Sequence, residues 1–209
     1  MRERQTNVIH HGRIRRLRRA ELPVHTAELA RYLIGKTLVR ETRGGRISGR
    51  IVETEAYPPG DSSGHAFRGL TPSNRSVFLE HGYAYVYFTY GSAFMMNVAS
   101  EKQGIGGAVL IRAVEPLDGI ALMQRRRGTT RLLDLARGPG RLAAAMGIDK
   151  RLDGLNLSAK GPLWLGTAVR GRGAIGTSVR IGINREAHRM RRFYERGSPF
   201  VSGPKKLNL

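Results

Sequence analysis

The sequence lacks cysteine altogether, and this absence excludes disulfide bridges, thiolate nucleophiles and cysteine metal ligands. No apolar run approaches the roughly 20 residues that a membrane-spanning helix requires. The first residues, MRERQTNVIHHGRIRRLRRA, also lack the apolar centre of a secretory signal. These absences predict an intracellular protein that does not enter a membrane.

Cofactor signatures are missing as well. The chain has no GxxxxGK run followed by Ser or Thr, and no GxGxxG run after a predicted strand. Its six histidines show no spacing typical of metal ligands. We therefore expect no nucleotide, no metal and no other cofactor.

Acidic residues are few, and the chain is strongly basic. The 209 residues include 16 Asp and Glu against 36 Lys and Arg, which gives a formal net charge of +20. A charge of this size favours a polyanionic partner. The alternative explanation is a coding bias that favours arginine at surface positions. Charge alone does not distinguish DNA from RNA or anionic lipid.

The chain divides into a basic arm and one domain. Residues 1–20 contain seven arginines and few core-type residues, which predicts a flexible basic arm. Residues 21–209 show no internal repeat and no linker, so they are expected to form a single domain.

Hydrophobic periodicity predicts short helices and strands joined by glycine-rich turns. Helices are expected from Thr26 to just before Gly35, from Pro116 and Asp118 to Arg127, and from Gly140 to Met146. Extended segments are expected over residues 36–41, 46–57, 83–90, 93–100, 107–114, around Trp164, 178–183 and 192–195. The four longer strands would form an antiparallel meander. The predicted fold class is α+β, with a mainly antiparallel sheet flanked by short helices.

Two carboxylates and a tyrosine lie on one predicted strand. Strict alternation places Ile51, Glu53, Glu55 and Tyr57 on the same face, where the strand ends at residues 58–60. A carboxylate at a strand end that faces a cleft can take a proton from water, so Glu55 is a candidate general base. The alternative is a half-buried sheet edge with two surface glutamates. The pattern does not indicate which glutamate is desolvated.

Tyrosines are concentrated in the next predicted strand. Tyr83, Tyr85 and Tyr87 share one face, whereas Tyr90 has the opposite phase and lies beside Gly91 at a predicted tight turn. A tyrosine at such a tip can wedge into a base stack, and inward tyrosines can stack on an extruded base. Tyrosine also favours strands for purely structural reasons, which is the alternative for each residue alone.

Three further polar residues are candidates. His65 lies in a polar loop, where it could be only a solvated side chain. Asn97 lies on a strand, and its amide could contact a base edge or tie a neighbouring turn. Arg112 ends an apolar run and could orient a carboxylate or a phosphate, with Glu115 as a purely structural alternative partner.

These motifs together resemble the alkyladenine (3-methyladenine) DNA glycosylase family. The resemblance rests on residues 51–57, 65, 71–75, 78, 85–87, 90–91, 97, 112–116, 138–139, 180–183 and 192–199, in that order. It implies a single domain around a curved antiparallel sheet, acting as a monomer on double-stranded DNA that contains damaged purines. The implied location is the cytoplasm or nucleoid of a bacterium, or the nucleus of a eukaryote.

The resemblance also implies a role for each candidate residue. The family extrudes a damaged purine and hydrolyses its N-glycosidic bond with water, without an amine nucleophile and without cutting the strand. By position, Glu55 would be the general base, and Arg112 and the backbone carbonyl of Ile181 would help to hold the water. Tyr57, His65 and Tyr87 would sandwich the extruded base, and Asn97 would reject guanine. Tyr90 would fill the gap that the extruded nucleotide leaves in the duplex.

A second class of function is open at this point. A basic, non-catalytic nucleic-acid-binding protein would use its tyrosines only for stacking, and its glutamates would be structural. Both classes predict binding that weakens as salt rises. Turnover of a damaged base would distinguish them.

Overall fold

The computed structural model describes residues 14–89 and 91–208. In chain order, its helices and strands are α1 (Thr26–Leu33), β1 (Thr37–Thr42), β2 (Gly45–Tyr57), β3 (Ala84–Thr89), β4 (Ala93–Ala99), β5 (Ala108–Pro116), α2 (Ile120–Arg127), α3 (Leu132–Leu135), α4 (Pro139–Met146), β6 (Leu163–Gly166), β7 (Ile175–Ser178) and β8 (Arg192–Glu195). The α+β class predicted from the sequence is confirmed.

All the strands belong to one antiparallel sheet, in the order β3-β4-β5-β2-β1-β6, and β8 pairs with both β2 and β7. The central strand β2 is 13 residues long. Along one edge, its residues 45–50 pair with β1, whereas residues 53–55 pair with β8. Because one strand edge serves two partners in succession, the sheet curls around the second half of β2. The predicted meander is confirmed for β3, β4 and β5 but is wrong for β2, which pairs with β5 rather than with β3.

The main core lies between the sheet and the helices. Leu29 and Leu33 of α1 are one turn apart and fully buried, as their spacing predicts. Leu142 and Met146 of α4 join the same core. The side chain of Thr54 on β2 donates a hydrogen bond of 2.9 Å to the backbone carbonyl of Ala30, so α1 covers this face of β2.

Several boundaries differ from those expected. The predicted strand over residues 178–183 is wrong, because β7 ends at Ser178 and the chain then leaves the sheet. Residues 180 and 181 instead make contacts with Asp61 and Glu55, which no local pattern indicates. The helix expected from residue 116 begins only at Ile120, because β5 continues to Pro116. The short helix α3 was not expected.

Part of the predicted basic arm is packed. Leu17 is 1% exposed and belongs to the main core, and the guanidinium of Arg16 lies 4.7 Å from the ring centre of Trp164. Residues 1–13 lie outside the described residues. Within the described part of the chain, no helix is long and apolar enough to cross a membrane.

Candidate active site

An irregularity in β2 places the two glutamates and Tyr57 on the face opposite α1. The pairing of β2 with β5 shifts register between Ile51 and Glu53 and again before Thr54. Ile51 therefore lies in the main core, and the prediction that it shares a face with the glutamates is wrong. Alternation then resumes. Thr54 and Ala56 face the core, whereas Glu55 and Tyr57 lie on the other side.

Glu55 is fully buried and held by three donors. One carboxylate oxygen, Oε1, accepts a 2.8 Å hydrogen bond from the backbone N–H of Ile181. The other, Oε2, accepts one of 2.9 Å from the hydroxyl of Tyr57, and Nη1 of Arg112 lies 3.1 Å away. The three donors lie on separate segments, so the fold fixes this carboxylate from three directions.

Glu53 lies beside this group but has a different environment. Its Oε1 accepts hydrogen bonds from Nε of Arg112 at 2.9 Å and Nε of Arg192 at 2.7 Å, and its Oε2 accepts one from the backbone N–H of Ser202 at 2.7 Å. Burial opposes ionisation of Glu53, but the two guanidinium groups and the donor from Ser202 outweigh it and hold its pKa below the usual value. Glu53 is therefore an ionised bridge.

Arg112 joins the two glutamates. It lies within β5 rather than at a strand end, and its side chain is almost fully buried. Burial would lower its pKa, but the charges of Glu55 and Glu53 raise it. The alternative partner Glu115 is excluded, because Glu115 lies 2.7 Å from Arg170 and 3.6 Å from Arg50. Glu53, Glu55, Arg112 and Arg192 form a buried group of two negative and two positive charges.

A cavity of about 310 Å³ opens next to the buried charges. Its walls include six residues that the sequence singled out: Tyr57, His65, Tyr87, Asn97, Arg112 and Ile181. Each residue that donates to Glu55 also lines this cavity. Glu55 therefore lies directly behind the cavity wall. Pockets of this size, with aromatic walls and a few polar groups, are typical of small-ligand sites.

One wall of the cavity is aromatic. The rings of His65 and Tyr87 lie 4.1 Å apart between centres, and the rings of Tyr85 and Tyr87 lie 5.3 Å apart. Nδ1 of His65 is 2.8 Å from the hydroxyl of Tyr85, which fixes the imidazole. Partial burial lowers the pKa of His65, which favours the neutral ring. Tyr83 is not part of this wall, because its ring contacts Arg19 instead.

Asn97 is buried at another side of the cavity. Its Nδ2 donates a 3.1 Å hydrogen bond to the backbone carbonyl of Tyr85 on the neighbouring strand β3. The amide is therefore tied to the sheet and lines the cavity with a fixed orientation. Tyr90, the predicted wedge, lies outside the described residues.

A buried ion pair behind Tyr57 was not found from the sequence. Asp61 and Arg180 are both fully buried and hydrogen-bonded to each other, and Arg180 also donates to the carbonyl of Ala56 at 3.0 Å. The guanidinium lies 4.6 Å from the ring centre of Tyr57. Burial would raise the pKa of Asp61, but its bonds to Arg180 and Ser63 lower it. This pair holds the Tyr57 ring and the segment after Arg180 in place.

The loop that carries His65 is fixed by Asn74. The Nδ2 atom of Asn74 donates to the carbonyls of His65 at 2.9 Å and Gly69 at 3.0 Å, and its Oδ1 accepts from the N–H of Thr71 at 2.7 Å. An Asn after Pro and Ser is a common turn residue, so this bracing role could have been inferred from local sequence. The role of Asp61 could not, because its partner is 119 positions away.

Comparison with known proteins gives a consistent result. A family model for methylpurine-DNA glycosylases matches residues 20–199. A protein of Mesorhizobium japonicum is 64% identical over 90% of this chain and 91% of its own length. A protein of Paraburkholderia phytofirmans is 52% identical over 91% of this chain and 90% of its own length. A protein of Rubrobacter xylanophilus is 43% identical over 84% of this chain and 92% of its own length. All three are provisionally named 3-methyladenine DNA glycosylases. The chain therefore belongs to the methylpurine-DNA glycosylase family.

Proposed function

We propose that the protein is a monofunctional purine DNA glycosylase that initiates base excision repair. It extrudes alkylated or deaminated purines, such as 3-methyladenine, 7-methylguanine and hypoxanthine, from duplex DNA. It then hydrolyses the N-glycosidic bond with a water molecule that Glu55 activates. The observation that carries this proposal is a buried carboxylate held by three donors behind an aromatic cavity.

Glu55 has the hydrogen-bonding capacity that a general base needs. An ionised carboxylate can accept about four hydrogen bonds. Ile181, Tyr57 and Arg112 approach it from three directions, and Oε1 accepts from only one of them among the described residues. The remaining capacity of Oε1 is directed to a water molecule. Arg112 and the backbone carbonyl of Ile181 orient that water, and both residues line the cavity.

The same carboxylate stabilises the transition state. Cleavage of a glycosidic bond develops positive charge on the sugar, so a fixed anion beside the sugar lowers the barrier. The buried location strengthens this effect, because water screens the interaction less. The neighbouring carboxylate Glu53 is bonded to Arg112, Arg192 and Ser202, so it is not the base.

The cavity selects the base by stacking and by shape. An alkylated purine carries a positive charge, and the electron-rich rings of Tyr57 and Tyr87 attract it from the cavity walls. His65 stacks as a neutral ring and so does not repel a cation. Asn97 crowds the exocyclic amino group of guanine and disfavours the normal base, whereas 7-methylguanine, which has the same group, is already cationic and leaves more readily. Tyr90 fills the space that the extruded nucleotide leaves.

The strand is expected to stay intact after base release. Strand cleavage by a glycosylase uses an amine that attacks the sugar, and no lysine is among the described residues that line the cavity. No lysine occurs between residues 51 and 97 either. Water is therefore the nucleophile, and the product is an abasic site in an uncut strand.

The proposal is tested by measuring free base released from three duplexes. One contains hypoxanthine, one contains a 3-methyladenine lesion, and the third is undamaged. We expect free base from the first two, with the strand intact until alkali is added. Strand breaks before alkali would contradict the monofunctional mechanism. If the protein binds the damaged duplexes but every damaged base remains bonded to its sugar, the protein is a non-catalytic binder.

A further inference from the structure

A second cleft, of about 620 Å³, lies on the opposite side of the sheet from the candidate active site. We call it the back cleft; it is formed by the C-terminal half of α1, the residues after it, and residues 168–172. Thr54 points toward α1, whereas Glu55, the next residue, points toward the cavity. Among the described residues, none lines both the back cleft and the cavity.

The back cleft is lined by cations that carboxylates do not neutralise. Arg31, Lys36 and Arg172 all border it, and in the part of the chain that the structure describes none of them forms an ion pair. Arg170 also borders it but is paired with Glu115. Among the described residues that line it, one is acidic, the exposed Glu28, and the charge of Glu21, which is paired with Arg15, also acts on Lys36.

Aromatic rings hold two of these cations in place. The guanidinium of Arg31 lies 4.4 Å from the ring centre of Phe193, and the ammonium of Lys36 lies 4.4 Å from that of Tyr32. Such contacts fix the position of a cation but leave its charge available to an anion. Arg172 donates to the backbone carbonyl of Arg31 at 3.2 Å, which brings its charge to the same end of α1.

Like charges in this cleft repel one another in the absence of a ligand. Lys36 is half-buried, and burial together with the charge of Arg172 lowers its pKa. An anion in the cleft would relieve this repulsion. Stabilising the C-terminus of α1 accounts for Arg172, which contacts a helix carbonyl, but not for Arg31 and Lys36, which contact aromatic rings.

The charge of the cleft favours a polyanion. Arg31, Lys36 and Arg172 border it from two segments of the chain, so their charges act on one shared space. Arg15, beyond the cleft, adds no free cation, because its backbone N–H bonds to Thr167 and its guanidinium is paired with Glu21. Guanidinium groups fit phosphate oxygens well, and the group formed by Arg31, Lys36 and Arg172 complements the charge of a phosphodiester backbone.

We propose that the back cleft binds the phosphate backbone of a second DNA duplex while a first duplex occupies the active-site face. Two DNA surfaces on opposite sides of the sheet allow the protein to pass directly from one duplex to another. This role goes beyond base excision and requires no damaged base. It can therefore be tested independently of the catalytic proposal.

The test is stopped-flow release of the protein from a fluorescent undamaged duplex as unlabelled undamaged duplex is added. Direct transfer predicts a release rate that rises with competitor concentration. The variant Arg31→Gln/Lys36→Gln/Arg172→Gln should reduce that dependence at least about tenfold, with little change in release at low competitor. The matched control Arg43→Gln/Arg125→Gln/Lys160→Gln removes the same charge from exposed positions elsewhere and should retain it.

Two results would overturn the proposal. One is a wild-type release rate that does not depend on competitor concentration. The other is an equal loss in the two triple variants, which would assign transfer to the overall charge of the protein rather than to the back cleft. Thermal unfolding of both variants establishes that each is folded under the assay conditions.

Discussion

Glu53 and Glu55 are the same residue type two positions apart, yet their surroundings give them different roles. Both oxygens of Glu53 accept hydrogen bonds, from Arg112, Arg192 and the backbone of Ser202. Glu55 lies behind a cavity wall formed by its own donors. The first carboxylate is therefore structural, and in the proposed reaction the second is the one that activates water.

The hydroxyl of Tyr57 gives a prediction about rate. Tyr57→Phe removes the 2.9 Å hydrogen bond to Glu55 but keeps the ring and its contact with Arg180. Hydrogen bonds to charged groups contribute about 1.5–3 kcal/mol, so single-turnover excision should slow by about tenfold or more. Lesion binding should change little. Tyr83→Phe, just before β3 and away from the cavity, is the matched control, and equal effects in both variants would contradict this role.

His65 gives a prediction about pH. The pKa of His65 is below its usual value of 6.5 in the folded protein, because burial disfavours the charged ring. The unfolded chain therefore takes up a proton more readily as the pH falls through 6.5, and stability decreases from there toward the lowered pKa. The unfolding free energy of wild type should fall more between pH 8 and pH 5.5 than that of His65→Gln. Parallel curves would show that His65 titrates normally.

Sequence patterns predicted the residues at the candidate site better than the contacts that hold those residues in place. The alternation of Glu55 and Tyr57 is a local property, and so is the spacing of Tyr85 and Tyr87. The irregularity that separates Ile51 from the glutamates depends on pairing with β5, and local sequence does not contain it. The Asp61–Arg180 pair depends on contact between distant segments, which one sequence does not reveal.

At the scale of elements, β2 and the C-terminal segment form the base of the site. Arg192 on β8 is fully buried, and its five N–H groups donate to Glu53, Ser178, Ser202, Leu207 and Asn208. A guanidinium has five donors, so all of them are used. The C-terminal segment is thereby linked to Glu53, and through Arg112 to Glu55.

This link predicts a large effect on stability. Arg192→Met should lower the unfolding free energy by about 3–5 kcal/mol, because it leaves Glu53 and several carbonyls without their buried partner. Denaturant unfolding measures the change. Arg151→Met is the matched control, since Arg151 pairs with Asp149 on the surface, and it should have no measurable effect. Equal effects in the two variants would show that the buried network does not support the fold.

Element boundaries were predictable where the signal was local. Helix α1 follows from the spacing of its leucines, and the strand at residues 192–195 is where the pattern placed it. The prediction of a strand over residues 178–183 was wrong, because Arg180 and Ile181 turn away from the sheet and bond with Asp61 and Glu55. Tertiary contacts determine the backbone there.

At the scale of the whole molecule, the formal net charge is +20, and part of it lies in the back cleft. The active-site face requires DNA contact for the proposed reaction, and the back cleft adds an independent group of cations. Residues 1–13 contribute three more arginines, at positions 2, 4 and 13. The positive charge therefore belongs to several groups of residues that can be removed one group at a time.

Deleting residues 1–13 tests the part of the basic arm that precedes the packed residue Leu17. If its arginines bind phosphates, the slope of log affinity against log salt for undamaged duplex should decrease by about 0.9 for each phosphate that the shortened protein no longer neutralises. Truncation before Ile14 keeps the core intact, because Leu17 remains in place. Full-length protein at the same salt concentrations is the reference. An unchanged slope would exclude the arm from DNA binding.

The catalytic role of Glu55 is tested most directly by single-turnover excision of hypoxanthine from duplex DNA with wild type and Glu55→Gln, measured together with lesion affinity. The change removes the charge but keeps the shape. The rate should fall by at least about 100-fold, while affinity stays close to that of wild type. Glu41→Gln, a half-exposed glutamate on β1, should behave as wild type. Excision by Glu55→Gln at the wild-type rate would contradict the account.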